Sequence, residues 1–101
     1  MKILIVEDDL VIAESLASEL KKWNYDVKMA KQFSHVLDDF KDYLPDLVLL
    51  DINLPTLNGF HWCQEMRKIS NVPIIFISSR TDNMDQIMAI QMGGDDFIEK
   101  P

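Results

Sequence analysis

Two groups of acids in this chain sit where carboxylates can do chemistry. Asp51 ends the apolar run Leu47-Val48-Leu49-Leu50 and opens the turn Asp51-Ile52-Asn53-Leu54-Pro55. Glu7-Asp8-Asp9 ends a second run, Ile3-Leu4-Ile5-Val6. Carboxylates gathered at one place repel one another, so Glu7, Asp8 and Asp51 together imply a bound cation or a reaction that uses negative charge. Ser78 follows a third run, Ile74 to Ile77, and Lys100 follows Phe97-Ile98-Glu99. Carboxylates and a backbone carbonyl in an incomplete shell suit Mg²⁺, which keeps several waters and also takes phosphate oxygens. A carboxylate can itself be a nucleophile and form an aspartyl phosphate. Phosphoryl transfer asks for in-line positioning and charge neutralisation more than for acid–base work. A metal ion, the Lys100 ammonium and the Ser78 hydroxyl could each hold one phosphoryl oxygen.

These residues act together only if the chain brings them together. Short continuous apolar runs read as strands buried on both faces, which means a parallel sheet. In an open parallel sheet the functional site lies outside the carboxyl ends of the strands, where both acid groups fall. Between the runs, apolar residues recur at helical spacing. Ile12, Leu16, Leu20 and Trp23 form a stripe on a first helix that ends at Asn24. Tyr25 to Ala30 reads as a strand, with Val27 and Met29 facing one way. Phe33, Val36, Leu37, Phe40 and Tyr43 mark a second helix, with Ser34 as its expected cap and Pro45 closing it. Asn58-Gly59 begins a third, with Phe60, Cys63, Met66 and Ile69 inward. A fourth, about Met84 to Met92, ends at Gly93-Gly94. The order is strand–helix four times, then the short strand Phe97-Ile98.

This alternation predicts an α/β fold with a doubly wound five-stranded parallel sheet, and right-handed crossovers place helices on both faces. If strands one, three, four and five are neighbours, Glu7, Asp8, Asp51, Ser78 and Lys100 meet in one shallow pocket. A fifth helix is expected after the fifth strand, and the chain stops at Pro101, so the expectation is a single domain over residues 1–101 lacking its final helix.

Composition narrows the classes. Ten basic against seventeen acidic side chains give a formal net charge of −7, with no basic stripe, which argues against direct nucleic-acid binding by this segment. Cys63 is the single cysteine, which excludes an internal disulfide and fits a reducing compartment. No leader precedes the first strand and no apolar run approaches the length of a bilayer span, so a cytoplasmic protein without membrane contact is expected.

The residues at the strand ends carry a resemblance. Ile5-Val6-Glu7-Asp8-Asp9, Asp51 with Leu54-Pro55 and Gly59, Pro73 through Arg80, and Gly94-Asp95-Asp96-Phe97-Ile98-Glu99-Lys100-Pro101 together resemble the receiver domain of bacterial two-component response regulators, over the whole chain. Phe60-His61-Trp62-Cys63, Ser70-Asn71-Val72-Pro73 and Met84-Asp85-Gln86 are further similar to regulators that sense antimicrobial peptides such as bacitracin or nisin. Gly94-Asp95-Asp96 resembles the subfamily whose output domain is a DNA-binding winged helix.

The resemblance implies a flavodoxin-like receiver that is not an enzyme on other substrates. It assists its own Mg²⁺-dependent phosphorylation and dephosphorylation. Asp51 would be the phosphoacceptor for a sensor histidine kinase. Asp8, Asp51 and the Asn53 backbone carbonyl would ligate Mg²⁺, with Glu7 acting through water. Ser78 would be the switch hydroxyl, Lys100 the partner of a phosphoryl oxygen, with a cis bond to Pro101, and Phe97 the aromatic switch. The family more often has Thr at Ser78, Ala at Ser79 and Tyr at Phe97. Ser79 is expected to alter the acyl-phosphate lifetime, and Phe97 lacks the phenolic hydrogen bond. Activation would pair two receivers through the fourth helix, fifth strand and fifth helix, with Asp95 and Asp96 in cross-dimer ion pairs. Gln86 stands where a base is common. DNA would be reached only through an output domain beyond the chain end.

Plainer roles exist for each residue. Asp51 could be a turn residue, Glu7-Asp8-Asp9 a solvated helix start, Ser78 a strand-end cap and Lys100 a solvated lysine. Asp9 is expected to be only a helix start. Met84, Met88 and Met92 read as packing, Cys63 as a core thiol, His35 and His61 as surface groups, and Asp95-Asp96 as a solvated turn or half of an intermolecular ion pair. Two rival functions remain. A magnesium-dependent phosphohydrolase commonly carries an acid two residues after its aspartyl nucleophile, and Asn53 stands there. A scaffold that works without phosphorylation would not need the full chemical set.

Overall fold

The computed structural model describes residues 1–78 and 83–100, with the backbone alone for 83–86. Ser79, Arg80, Pro101 with its expected cis bond, and the side chains of Met84 and Gln86 lie outside the described residues. The elements are β1 (Lys2–Val6), α1 (Leu10–Lys22), β2 (Asp26–Met29), α2 (Val36–Tyr43), β3 (Leu47–Asp51), α3 (Gly59–Arg67), β4 (Ile74–Ser78), α4 (Asn83–Gln91) and β5 (Asp96–Glu99). The strands form one all-parallel sheet in the order β2-β1-β3-β4-β5, the doubly wound α/β arrangement expected.

The apolar runs are continuous because alternate residues serve opposite faces. Leu4, Val6, Val48, Leu50, Ile74 and Phe76 meet Val36 and Phe40 of α2, Trp62, Cys63 and Met66 of α3, and Ala89 of α4. Ile3, Ile5 and Leu49 meet Ala13 and Ala17 of α1. Each fully buried Val, Leu, Ile or Phe contributes about 1.5–3 kcal/mol. The two layers hold the strand ends in register without any residue of the acid site taking part.

Helix starts follow their side chains. Asp9 caps α1, accepting from the Val11 and Ile12 amides at 3.0 and 3.3 Å, and Asn58 caps α3, accepting from the His61 amide at 3.0 Å. The expected Ser34 cap is not used. His35 holds the N-cap of α2 without a side-chain hydrogen bond.

Three inward assignments shift. On α1 the fully buried positions are Ala13 and Ala17, whose small side chains seat the helix close to the sheet, while Leu16 and Leu20 flank them. Trp23 is 74% exposed, because α1 ends at Lys22 and Trp23 is its C-cap. On α3, Trp62 is buried, whereas Ile69 lies past the end of the helix and is exposed. Gly93 turns the chain out of α4 at φ +99°, as a C-cap glycine does. Among the described residues no helix is long and apolar enough to cross a membrane.

Candidate functional site

The β2-β1-β3 order makes the crossovers leave β1 and β3 toward opposite sides, so a crevice opens between their carboxyl ends. Glu7 and Asp8 follow β1, and Asp51 ends β3. One carboxylate oxygen from each of the three lies within 4.8 Å of the others. Glu7 and Asp51 are buried and Asp8 is exposed. β4 and β5 extend the crevice, with Ser78 fully buried and the Lys100 amide donating to the Ser78 carbonyl at 2.7 Å.

Lys100 enters the acid group from β5. Its ammonium donates to Asp51 Oδ2 at 3.1 Å and meets Glu7 Oε1 as an ion pair. The side chain is only 11% exposed, so the solvated-lysine role is excluded. Burial works to lower the Lys100 pKa, but the hydrogen bonds to Glu7 and Asp51 and their charges outweigh it and leave it raised above 10.5. Lys100 is therefore charged at neutral pH. Partial desolvation at the crevice lifts the exposed Asp8 carboxyl above its ordinary value, against a bond to its own backbone. Hydrogen bonding and repulsion from Glu7 add to the rise and Lys100 opposes it.

The remaining bonds orient the acids. Asp51 Oδ1 accepts from the Asn53 amide at 3.3 Å, and Glu7 Oε2 accepts from the Asp9 amide at 3.0 Å. Three carboxylates against one ammonium leave net negative charge, with two acids buried. The donor set is all oxygen and keeps one open, exposed side at Asp8, which fits a hard divalent cation that retains waters. Phe97 is apart from this group. It is partly buried, pairs in register with Phe76 and packs on the α2–α4 side of the sheet. Asn53 is an exposed amide, so the acid a phosphohydrolase commonly carries there is lacking.

The chain matches the response regulator receiver domain family over residues 3–101. The chain belongs to that family. The receiver is 56% identical over 100 residues to the uncharacterized transcriptional regulatory protein YvcP of Bacillus subtilis (strain 168), covering 99% of this chain and 42% of YvcP. It is 46% identical over 101 residues to the response regulator protein GraR of Staphylococcus epidermidis, covering 100% of this chain and 45% of GraR. The receiver thus spans less than half the length of these relatives. Among solved structures, the N-terminal domain of the nisin resistance regulator NsrR superposes with a TM-score of 0.89 at 50% identity, covering 99% of this chain and 85% of that one. The BeF3-activated receiver domain of RstA from Klebsiella pneumoniae gives 0.95 at 34% identity, covering 99% and 86%.

One polar cluster was not legible beforehand. Arg67, in the last turn of α3, bonds to the α4–β5 turn and to Asp95. Asp95 is an exposed turn residue, as expected, but one of its carboxylate oxygens is already engaged within the chain. That oxygen takes the Arg67 guanidinium at 2.6 Å and the Ile74 amide at 2.8 Å. The sequence signal is only a basic residue near a helix end, which normally needs no partner beyond the helix dipole.

Proposed function

We propose that this receiver accepts a phosphoryl group on Asp51 from the phosphohistidine of a sensor kinase and passes the change to a transcription-regulating output domain. The observation that carries the reading is the burial of Asp51 between the Lys100 ammonium and the Glu7 and Asp8 carboxylates at the crevice between β1 and β3. In the reaction an Asp51 carboxylate oxygen bonds to phosphorus while the phosphorus–nitrogen bond of the donor breaks, and the electron pair leaves on the imidazole nitrogen. Lys100 remains charged and pairs with a phosphoryl oxygen in place of part of its contact with Asp51. Asp8, Asp51 and the Asn53 carbonyl are the residues that would hold Mg²⁺, with Glu7 acting through water. When bound, that ion supplies charge neutralisation for the phosphoryl oxygens. The Ser78 hydroxyl turns toward the phosphoryl group, and Phe97, two register positions before Glu99, follows it.

The input is a peptide-antibiotic stress of the bacitracin or nisin type, by likeness to the nisin resistance regulator. The output is DNA binding through a winged helix, by likeness to relatives named transcriptional regulators. The active form pairs through α4, β5 and a fifth helix, with exposed Asp96 as an ion-pairing acid. The single cysteine, free and buried, fits a cytoplasmic setting. The test is mass spectrometry after acetyl phosphate with Mg²⁺. The adduct is expected on Asp51 and absent in Asp51→Asn. Label that persists on Asp9 or Asp46 in the variant would assign the acceptor elsewhere.

A further inference from the structure

We propose that α3 is a strut between the acceptor loop and the α4–β5 turn, and that Arg67 is the residue that completes it. The proposal rests on the phosphorylation reading above and gives the signal a route beside Ser78 and Phe97.

The near end of the strut touches the acceptor's own backbone. A Cβ on Gly59 would lie 2.1 Å from the Asp51 carbonyl oxygen, and the Gly59 amide donates to the Ile52 carbonyl at 2.8 Å. A shift in the acceptor loop is therefore a shift in the first turn of α3. Along its length the helix is keyed to the core by buried Trp62, Cys63 and Met66, and the Phe60 ring lies 5.3 Å from the ring of Phe76. A helix anchored in this way moves as a body rather than bending.

The far end grips three partners. Arg67 Nε donates to the Gly93 carbonyl at 2.7 Å, Nη1 to the Val72 carbonyl at 2.5 Å, and Nη2 to Asp95 Oδ2 at 2.6 Å. The Ile74 amide shares that Asp95 oxygen, so the clamp also takes in the start of β4. The gripped turn has little freedom of its own. Gly93 holds a left-handed φ of +99°, and a Cβ on Gly94 would stand 2.6 Å from the Phe76 ring. An exposed ion pair alone would do little, but two of these three bonds go to main-chain carbonyls, and the guanidinium presents its donors in fixed directions. Lysine would keep the charge and lose that geometry. The connection reaches the β5 side of the sheet, the side proposed to pair on activation.

Spatial continuity is not coupling, so the test measures coupling. Backbone amide shifts of Met88, Ala89 and Phe97, none of which Arg67 bonds to, are recorded with and without beryllofluoride and Mg²⁺. The proteins are the unaltered chain, Arg67→Met, Arg67→Lys, and Ala17→Gly as a destabilised control on α1. Thermal melts are recorded alongside. The shift change at these amides is expected to fall roughly twofold or more in Arg67→Met and less in Arg67→Lys. Ala17→Gly should keep the full response, and all variants should still bind beryllofluoride, so that the comparison is made at saturation. A full response in Arg67→Met overturns the strut while leaving the acceptor reading intact. Failure of the unaltered chain to bind beryllofluoride overturns the acceptor reading, and the strut with it. Should Arg67→Met fail to fold, Arg67→Lys and Asp95→Asn decide, and full responses in both reject the proposal.

Discussion

Lys100 and Asp8 make opposite contributions to the apo receiver. Lys100 is the cation that the buried Glu7 and Asp51 contact. Removing one partner from a buried ion pair costs about 3–5 kcal/mol, because a charge is left without compensation. Lys100→Met should lower stability in urea by that order, and millimolar Mg²⁺ should recover part of the loss. No loss on substitution would mean that the acids are solvated rather than paired. Asp8 is a source of repulsion. Two unit charges about 4 Å apart interact by about 4 kcal/mol at an effective dielectric of about 20 and about 1 kcal/mol in bulk water. Asp8 is exposed, so its share lies toward the lower figure.

Its raised pKa sets the sign with pH. The folded state holds the Asp8 proton more tightly than the unfolded chain. The stability this adds is fully present below about 3.8 and is lost as pH rises through the higher folded value. Without metal, Asp8→Asn should therefore melt above the unaltered chain at pH 7, and the gap should close on acidification. Mg²⁺ should raise the melting temperature of the unaltered chain by binding only its native state, and should not do so in the variant. A full magnesium shift in Asp8→Asn would remove Asp8 from the cation site.

At the level of elements, α3 is the piece whose placement depends most on a missing side chain. Gly59 is required by close approach. A methyl there meets Asp51 backbone oxygen and carbon at 2.1 and 2.9 Å, and neither is the end of a flexible side chain. Overpacking costs about 1–3 kcal/mol and occasionally more. Gly59→Ala is expected at or beyond the upper end, since backbone must move. The displaced group is the acceptor itself, so acetyl phosphate labelling of Asp51 should slow as well. Ala17→Gly loosens α1, on the opposite face of the sheet from α3, and should lower stability while leaving the labelling rate unchanged. Equal labelling rates in both variants would show that Gly59 only packs.

For the whole molecule, the doubly wound sheet places chemistry at one pole and leaves its flank open. Ile87 and Ile90 of α4 and Ile98 of the edge strand β5 are each 43–54% exposed. Exposed apolar patches drive association. The 101-residue chain is expected to self-associate through this flank without any phosphoryl mimic, whereas a receiver carrying its fifth helix should pair only when Asp51 is modified. Analytical ultracentrifugation of both, with and without beryllofluoride, distinguishes the cases. A strictly monomeric 101-residue chain at high micromolar concentration would rule out the exposed-flank part.

Much of this receiver follows from local rules. A strand buried on both faces has no room for a polar residue, so Ile3–Val6, Leu47–Leu50 and Ile74–Ile77 announce themselves as runs. The first polar residue after each marks the strand end where a site can form. Asp9 and Asn58 announce helix starts because a short side chain can reach amides two or three residues on. The acid group was thus legible as a set of strand ends, on the condition that strands one, three, four and five are neighbours.

Only the tertiary structure met that condition, because strand order depends on how helices cover two faces at once and leaves no mark within any strand. It likewise decided that Trp23 and Ile69 face outward, since periodicity gives a stripe but not the residue at which a helix stops. It put Ala13 and Ala17, rather than the larger apolar residues, deepest under α1, since close helix–sheet approach favours small side chains. The joining of Arg67 to Asp95, 28 residues apart along the chain, is of the same kind. Long polar side chains are placed by whichever acceptors the finished fold brings within reach.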